Sequence, residues 1–247
     1  MHSIVGMTRF FGLSQRNNEP EIMDQPGLDP AEHAAALRAI ARLNWWSRSA
    51  GILWRPLYRL AQENPNRRLR ILDLATGSGD IPLRLWQRFR HAGVTVELAG
   101  ADMSELALLE ARKRAANAGA PIRFFALNAL EDPLPQDFDV IMCSLFLHHL
   151  EENGAVELLR RMGEATGQMV LVSDLIRSRI NYLLAHAGTR LLTRSPMVRF
   201  DGPCSVASAF TRAEVRGLAQ RAGLEKAQVL WRWPWRMILQ WGRPKAW

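Results

Sequence analysis

The stretch Ile71-Leu72-Asp73-Leu74-Ala75-Thr76-Gly77-Ser78-Gly79-Asp80-Ile81-Pro82 decides the fold. An apolar run ends in a turn of small residues, and Pro82 then opens an amphipathic segment. The stretch therefore reads as a strand, a tight loop and a helix start. Gly77 and Gly79 permit open φ values and let a ligand approach the main chain closely. Pro82 suits a first helical turn, and Asp80 before it is placed to satisfy orphan amides there. The dinucleotide fingerprint G-x-G-x-x-G does not fit, because Pro82 stands where the last glycine is required. Asp73 would oppose a pyrophosphate and instead suits a ligand carrying a cationic amine.

Strand and helix patterns alternate outward from this loop. Arg70 to Leu74 is the first strand, and Leu83, Leu85, Trp86 and Phe89 mark the buried face of the helix after it. A second strand over Val94 to Ala101 ends at Asp102-Met103-Ser104. An acid about twenty residues past a glycine loop is placed to accept hydrogen bonds from both ribose hydroxyls of a nucleoside. A helix over Glu105–Asn117 precedes a third strand at Ile122 to Leu127, and Asn128-Ala129 follows. The fourth strand, Val140 to Ser144, leads into Leu145-Phe146-Leu147-His148-His149. Ligands of open α/β sheets sit beyond the carboxyl ends of strands. A histidine there can take a proton near neutral pH. Asp174, at the end of a fifth strand over Met169 to Ser173, is placed to orient such an imidazole. Arg177 and Arg179 beyond it are expected to face solvent.

These motifs resemble class I S-adenosylmethionine-dependent methyltransferases, in particular the small-molecule and quinone-biosynthesis branch. The resemblance covers about residues 70–241. Ser205-Val206-Ala207-Ser208-Ala209-Phe210-Thr211 also resembles a segment of methyltransferases encoded near type III polyketide synthases. The implied fold is α/β, a Rossmann-like seven-stranded mostly parallel sheet with an antiparallel strand 7. The implied cofactor is S-adenosylmethionine. Asp73, Ala75, Thr76, Gly77 and Gly79 would hold its methionine portion and Asp102 its ribose. Met103, Asn128 and Ala129 would hold its adenine, with Ser144 completing that end. Asn128 departs from the family, which usually places Asp there; its amide oxygen can still accept. In the family the second position of the strand 4 pair packs below the site and the first faces substrate. This favours His148 as base, with His149 as runner-up and Asp174 as orienter. The implied reaction is O-methylation of a phenolic or quinol hydroxyl on a small aromatic acceptor. C-methylation of a quinol precursor ranks second and N-methylation third. A silent cofactor-binding relative would have no need to keep the His pair and Asp174.

Around this core, residues 1–27 read as a leader and 28–66 as a helical region that forms a lid over substrate or packs on the sheet edge. The methyltransferase domain spans 67–247. Its insertion, about 178–210, is expected to wall the substrate pocket with Tyr182, His186 and Phe200. It reads as a helix over Asn181 to Leu192, a break at Arg194-Ser195-Pro196 and a loop over Phe200 to Ser205. Thr211-Arg212-Ala213-Glu214 is a capping box. Leu224 to Trp233 and Arg236 to Trp241 then form a closing hairpin. From Ala227 onward, that hairpin and tail hold five of the nine tryptophans, with Arg232, Arg236, Arg243 and Lys245 and no acid. This composition suits peripheral contact with a membrane or a lipidic acceptor, and equally plain edge packing.

Two cysteines in 247 residues argue against a disulfide framework. No apolar run reaches a membrane span, so a cytoplasmic protein is expected. The net charge of +8 favours acidic partners. A nucleic-acid methyltransferase is nevertheless disfavoured, because Ser144-Leu145-Phe146 stands where an N-P-P-Y motif belongs. No metal-ligand cluster is visible in the sequence. Oligomeric state is not legible in it.

Overall fold

The computed structural model describes residues 13–19, 21–24, 29–46, 49–63, 65–193 and 195–243. Seven strands form one sheet: β1 (Leu69–Leu74), β2 (Val96–Asp102), β3 (Arg123–Ala126), β4 (Val140–Ser144), β5 (Met169–Leu175), β6 (Gln228–Arg232) and β7 (Arg236–Gly242). Their order is β3-β2-β1-β4-β5-β7-β6, and only β7 runs antiparallel to its neighbours β5 and β6. The expected fold class is the observed one. Strand ends move by one or two residues, and the long expected strand from Leu224 begins only at Gln228.

Side chains of a strand alternate between faces, and a parallel sheet needs cover on both. Accordingly, Leu72 and Leu74 of β1 enter one apolar cluster with Leu158, Leu159 and Met162 of α5 (Glu152–Ala165). Leu69 and Ile71 enter another, with Leu53 and Leu57 of α2 (Ser49–Glu63) and Leu85 and Phe89 of α3 (Asp80–His91). The two N-terminal helices have different surroundings. In α1 (Pro30–Trp46), Asp29 caps the first turn by accepting from the Glu32 amide at 3.0 Å. Its residues Leu37, Ile40, Leu43 and Asn44 face a cavity, whereas α2 packs on the sheet.

The two loop glycines differ in purpose. Both have positive φ, +55° at Gly77 and +68° at Gly79. A Cβ at Gly77 would meet open space, but at Gly79 it would lie 2.8 Å from the Phe124 ring and 2.9 Å from Ala111 Cβ. Gly79 therefore serves the contact of the loop with β3 and α4 (Glu105–Asn117). It is also the N-cap of α3, so Asp80 is the helix's first residue rather than its cap.

The insertion departs most from expectation. After α6 (Arg179–Leu192), residues 196–208 form a helix, α7 (Pro196–Ser208), where a loop over Phe200 to Ser205 was expected. Ser195 caps it through the Val198 amide, and Pro196 occupies its first turn. Gly202 lets α6 approach: a Cβ there would fall 2.5 Å from the Thr189 methyl. Arg177, expected in solvent, is buried. It donates to Glu214 at 2.6 and 3.0 Å and to the Ala209 carbonyl at 2.7 Å. Glu214 also completes the capping box of α8 (Arg212–Arg221), so one carboxylate ties strand end, insertion and helix start together.

Gly79→Ala should lower stability by about 1–3 kcal/mol from overpacking, in addition to backbone strain. Gly77→Ala should cost only the strain, about 1–2 kcal/mol. Urea titration of the ligand-free protein distinguishes them; equal losses would contradict the packing role of Gly79.

Candidate functional site

A cavity of about 930 Å³ lies beyond the carboxyl ends of β1, β2 and β4. Of the cofactor residues expected from sequence, Asp73, Ala75, Thr76, Gly77, Asp102, Met103, Asn128, Ala129 and Ser144 line it, and Gly79 does not. Two lining residues have positive φ without being glycine, Ala75 at 50° and Leu145 at 57°. They follow β1 and β4, the two central strands. Strained backbone of this kind persists where surrounding structure enforces it, commonly at ligand sites.

One end of the cavity is acidic. Asp73 is buried, and its Oδ2 accepts from the Thr76 hydroxyl at 2.7 Å, while Oδ1 has no partner among the described residues. Burial pushes the Asp73 carboxyl up to about 8 despite the Thr76 bond, and the charges of Asp80 and Asp102 add to the shift. Asp102 Oδ2 accepts from the Gly77 amide at 2.8 Å and Oδ1 from the Ser104 amide at 2.9 Å, bracing the glycine loop against β2. A buried carboxylate oxygen lacking a donor fits a ligand that brings an ammonium group. At the adenine position, Asn128 Oδ1 accepts from the Leu130 amide at 3.1 Å, so the turn already uses one of its lone pairs. Met103 is 73% exposed at the rim.

The other end holds the histidines, on a short 3-10 turn at Leu147–His149. His148 is buried. Its Nδ1 donates to Asp174 Oδ1 at 2.7 Å, and its backbone amide donates to Asp174 Oδ2 at 3.1 Å. Its Nε2 lies 3.5 Å from Glu21 Oε1. Burial alone would lower this imidazole. Asp174 and Glu21 outweigh it and push the group up to about 10. Burial works to raise Asp174, yet the His148 charge and hydrogen bond hold its carboxyl below the usual range. His148 thus carries its proton between two carboxylates, which runs against the expectation that it is the base. His149, half-buried, also lines the cavity, with its ring 4.3 Å from that of His148 and Nε2 4.0 Å from Glu21 Oε1. Arg236 of β7, buried on the same wall, sets a cation beside Asp174; burial lowers it to about 10, and Asp174 and Asp80 oppose that.

Glu21 was missed in the sequence. It falls in the expected leader, most of which lies outside the described residues, but 13–19 and 21–24 pack onto the body. Arg16 donates to the carbonyls of Ser208 at 2.6 Å and Leu150 at 2.8 Å, and the Ile22 amide donates to Asp201 Oδ1 at 2.8 Å. The single sequence signal was an acid in a short polar run, too weak to place it. Ligand atoms of Glu21, His148 and His149 lie within 4.8 Å of one another, a grouping not visible in the sequence.

The acceptor wall was misassigned. Tyr182 is buried against Val206 and Ala207, His186 is half-buried beside Arg190, and Phe200 is 37% exposed. None of the three is among the lining residues. The lining comes from other positions on the same helices: Asn181, Leu184, Ala185 and Gly188 of α6, and Val198 and Ser205 of α7. The expected helices thus line the cavity through faces other than the expected ones.

Because the folded-state value of Asp73 is raised, its contribution to stability is present below the unfolded value and is lost as pH rises towards about 8. Asp73→Asn should therefore flatten the fall in urea midpoint of the ligand-free protein between pH 4 and pH 8. It should also abolish binding of S-adenosylmethionine in calorimetry. A midpoint profile identical to wild type would contradict the buried, unpaired carboxyl.

A family model described as a methyltransferase domain matches residues 71–167. The chain is 28% identical over 162 residues to a ubiquinone biosynthesis O-methyltransferase of Thiobacillus denitrificans, covering 65% of this chain and 66% of the relative. It is 35% identical over 105 residues to a demethylmenaquinone methyltransferase of Thermus thermophilus, covering 42% and 46%. The chain thus spans from under half to about two thirds of these relatives' lengths. Among solved structures, a putative O-methyltransferase from Nostoc punctiforme superposes with a TM-score of 0.63 at 19% identity, over 96% of this chain and 68% of that one. Magnesium protoporphyrin IX methyltransferase from Synechocystis, with bound SAH, superposes with a TM-score of 0.56 at 15% identity, over 97% and 95%. With the glycine loop, Asp73 and Asp102 on a sheet of this order, the chain carries a methyltransferase domain over residues 71–167 and is similar to S-adenosylmethionine-dependent methyltransferases, with S-adenosylmethionine as the cofactor.

Proposed function

We propose that the chain methylates a hydroxyl oxygen of a small aromatic acceptor, a phenol or quinol. One observation carries this reading: one cavity joins the acidic end at Asp73 and Asp102 to the end at His148 and His149, with Asp174 holding His148 from behind the wall. S-adenosylmethionine supplies an electrophilic methyl group when bound. Asp73 and the Ala75–Gly77 backbone hold its amino-acid portion, Asp102 its ribose, and Met103, Asn128 and Ala129 its adenine, with Ser144 beneath. The apolar walls from α1, α6 and α7 hold the acceptor ring. Holding the acceptor in a fixed pose provides much of the acceleration in a transfer of this kind. A phenolic hydroxyl has a pKa near ~10, so a base adds rate. His149 takes that proton, because both ring nitrogens of His148 already face carboxylates. The curated relatives include both O- and C-methyltransferases of quinone biosynthesis by name. C-methylation of a quinol ring is therefore the alternative.

The rim of the cavity supports a lipidic acceptor. Ile180, Leu183, Leu184 and Leu191 of α6 are between 45% and 83% exposed, and Trp231 and Trp233 of the hairpin are 44% and 63% exposed. The two elements meet where Asn181 donates to the Trp235 carbonyl at 3.2 Å, and Leu184 and Pro234 belong to both rim and cavity. Arg179 and Arg190 flank the apolar positions of α6. Rings and cations together suit an anionic bilayer interface. Among the described residues no helix is long and apolar enough to cross a membrane.

Two measurements test these readings. With labelled cofactor and a panel of phenols and quinols, mass spectrometry should place the methyl on oxygen, and His149→Ala should lower kcat by about 10²–10⁴-fold with cofactor affinity intact. A ring-carbon product would move the reading to C-methylation. Leu183→Ser with Trp233→Ser should reduce co-sedimentation with phosphatidylglycerol vesicles while leaving turnover of a short, soluble phenol unchanged. Unchanged sedimentation would remove the bilayer from the reading.

A further inference from the structure

A second cavity, of about 770 Å³, shares Asn44 with the first and is otherwise walled by different residues. Its walls come from the end of α1, the start of α2 and the body of α3. The methyl transfer makes no use of it. Arg84, Arg88 and His91 stand at i, i+4 and i+7 of α3, so they share one helix face, and all three line the cavity. No acid lines it among the described residues. Trp45 and Trp54 supply rings from the opposite elements. Trp54 is held firmly, stacked on Tyr58 at 4.9 Å and edge-on to Phe89 at 4.8 Å. The Arg88 guanidinium carbon lies 6.0 Å from the centre of the Trp54 ring, so cation and ring are presented together.

Folding alone does not account for these cations. Arg88 and His91 belong to the last turn of α3, where cations offset the helix dipole. Arg84 stands a turn earlier, and its Nε is buried with no hydrogen-bond partner among the described residues. Burial lowers its guanidinium below the ordinary value; Asp80 opposes that, and the charges of Arg114 and Arg88 add to it. Arg90 of the same helix shows the settled alternative. Its guanidinium lies 4.8 Å over the Trp86 ring, and it does not line the cavity.

We propose that this second cavity binds a flat aromatic anion, a ring bearing a carboxylate or phosphate group, independently of the cofactor. Arg84 and Arg88 carry planar donor forks that match either group. His91 Nδ1 donates to the Gln87 carbonyl at 2.6 Å, which leaves Nε2 for the ligand. The anion supplies the missing acceptor for Arg84 Nε and relieves the repulsion between Arg84 and Arg88. The indoles of Trp45 and Trp54 cover the ring. The volume falls within the range of small-molecule sites, roughly 300–1,000 Å³. Cations without an acid repel a sulfonium, so cofactor and anion sort to different cavities. The site stands whichever acceptor the first cavity takes.

Calorimetry with 2-naphthoate and 2-naphthyl phosphate tests this on the full chain saturated with S-adenosylhomocysteine. Both anions should bind saturably and compete with one another, and leaving out S-adenosylhomocysteine should not change their affinity. Uncharged 2-naphthamide and non-aromatic cyclohexanecarboxylate should each bind about 10-fold or more weakly than 2-naphthoate. Arg88→Gln, at an exposed position, should weaken 2-naphthoate about 10-fold, and Arg84→Gln at least as much. Arg90→Gln removes the same charge from the same helix and should have no effect. Equal losses in the Arg88 and Arg90 variants would reduce the effect to net charge. Undisturbed binding in Arg88→Gln would place the ligand elsewhere, and displacement by S-adenosylhomocysteine would place it in the first cavity. Each of these results overturns the proposal, as does an amide that binds as tightly as the carboxylate.

Discussion

The strand order reverses at β1, and the site follows from that reversal. β2 pairs on one side of β1 and β4 on the other, so the connections leaving β1 and β4 diverge to opposite faces of the sheet. A crevice opens between them at the carboxyl edge. The two non-glycine residues with positive φ in the cavity wall, Ala75 and Leu145, sit just after these two strands. The chain has to leave the sheet sharply there in order to turn away from the crevice. The Leu145 amide is still held by the Ser173 carbonyl at 2.9 Å, which fixes the start of the histidine turn to β5. Strand order thus places both ends of the cavity, one beyond β1 and β2 and the other beyond β4 and β5.

Electrostatics then distinguishes the ends. Asp73, Asp80 and Asp102 put three carboxylates along the donor end, and burial raises two of them, Asp73 and Asp80. Their arrangement stores an unfavourable interaction that a cationic ligand relieves. At the other end the carboxylates are already paired: Asp174 and Glu21 both fall below the ordinary carboxylate range because His148 lies between them. One end therefore calls for a cation from outside, and the other supplies its own. That asymmetry gives the cavity a direction, with a cationic ligand favoured at the first end.

What the sequence made legible was local. The glycine loop, Asp102, the His pair and the capping box each announce themselves within a few residues, because turn chemistry, strand ends and helix starts depend on neighbours in the chain. The sheet followed from alternation of strand and helix patterns. What it hid was tertiary. Tyr182 and Leu184 differ by two positions on α6, and only the packing of α7 decides which of them meets the cavity. Gly202-Pro203 reads as a loop until Thr189 is seen pressed against Gly202. Arg177 reads as a surface cation until Glu214, thirty-seven positions on, is brought to it. His148 reads as a base until Glu21, far earlier in the chain, is found at its second nitrogen.

The buried Glu21 also bears on why the insertion is helical and not a loop. Ser205 and Asp201 are one turn apart on α7, so they present a hydroxyl and a carboxylate on the same face. Asp201 receives the amides of Ile22 and Met23, and Ser205 donates to Glu21 itself. A loop would leave both side chains mobile, and each added freedom would weaken the hold on a carboxylate that burial already disfavours. The helix makes the two contacts at once, from a rigid element that also forms the cavity wall through Val198 and Val206. The insertion thus shapes the cavity and holds the segment that carries Glu21. A change in α7 that alters one must alter the other, which couples the shape of the cavity to the placement of Glu21 through a single turn of helix.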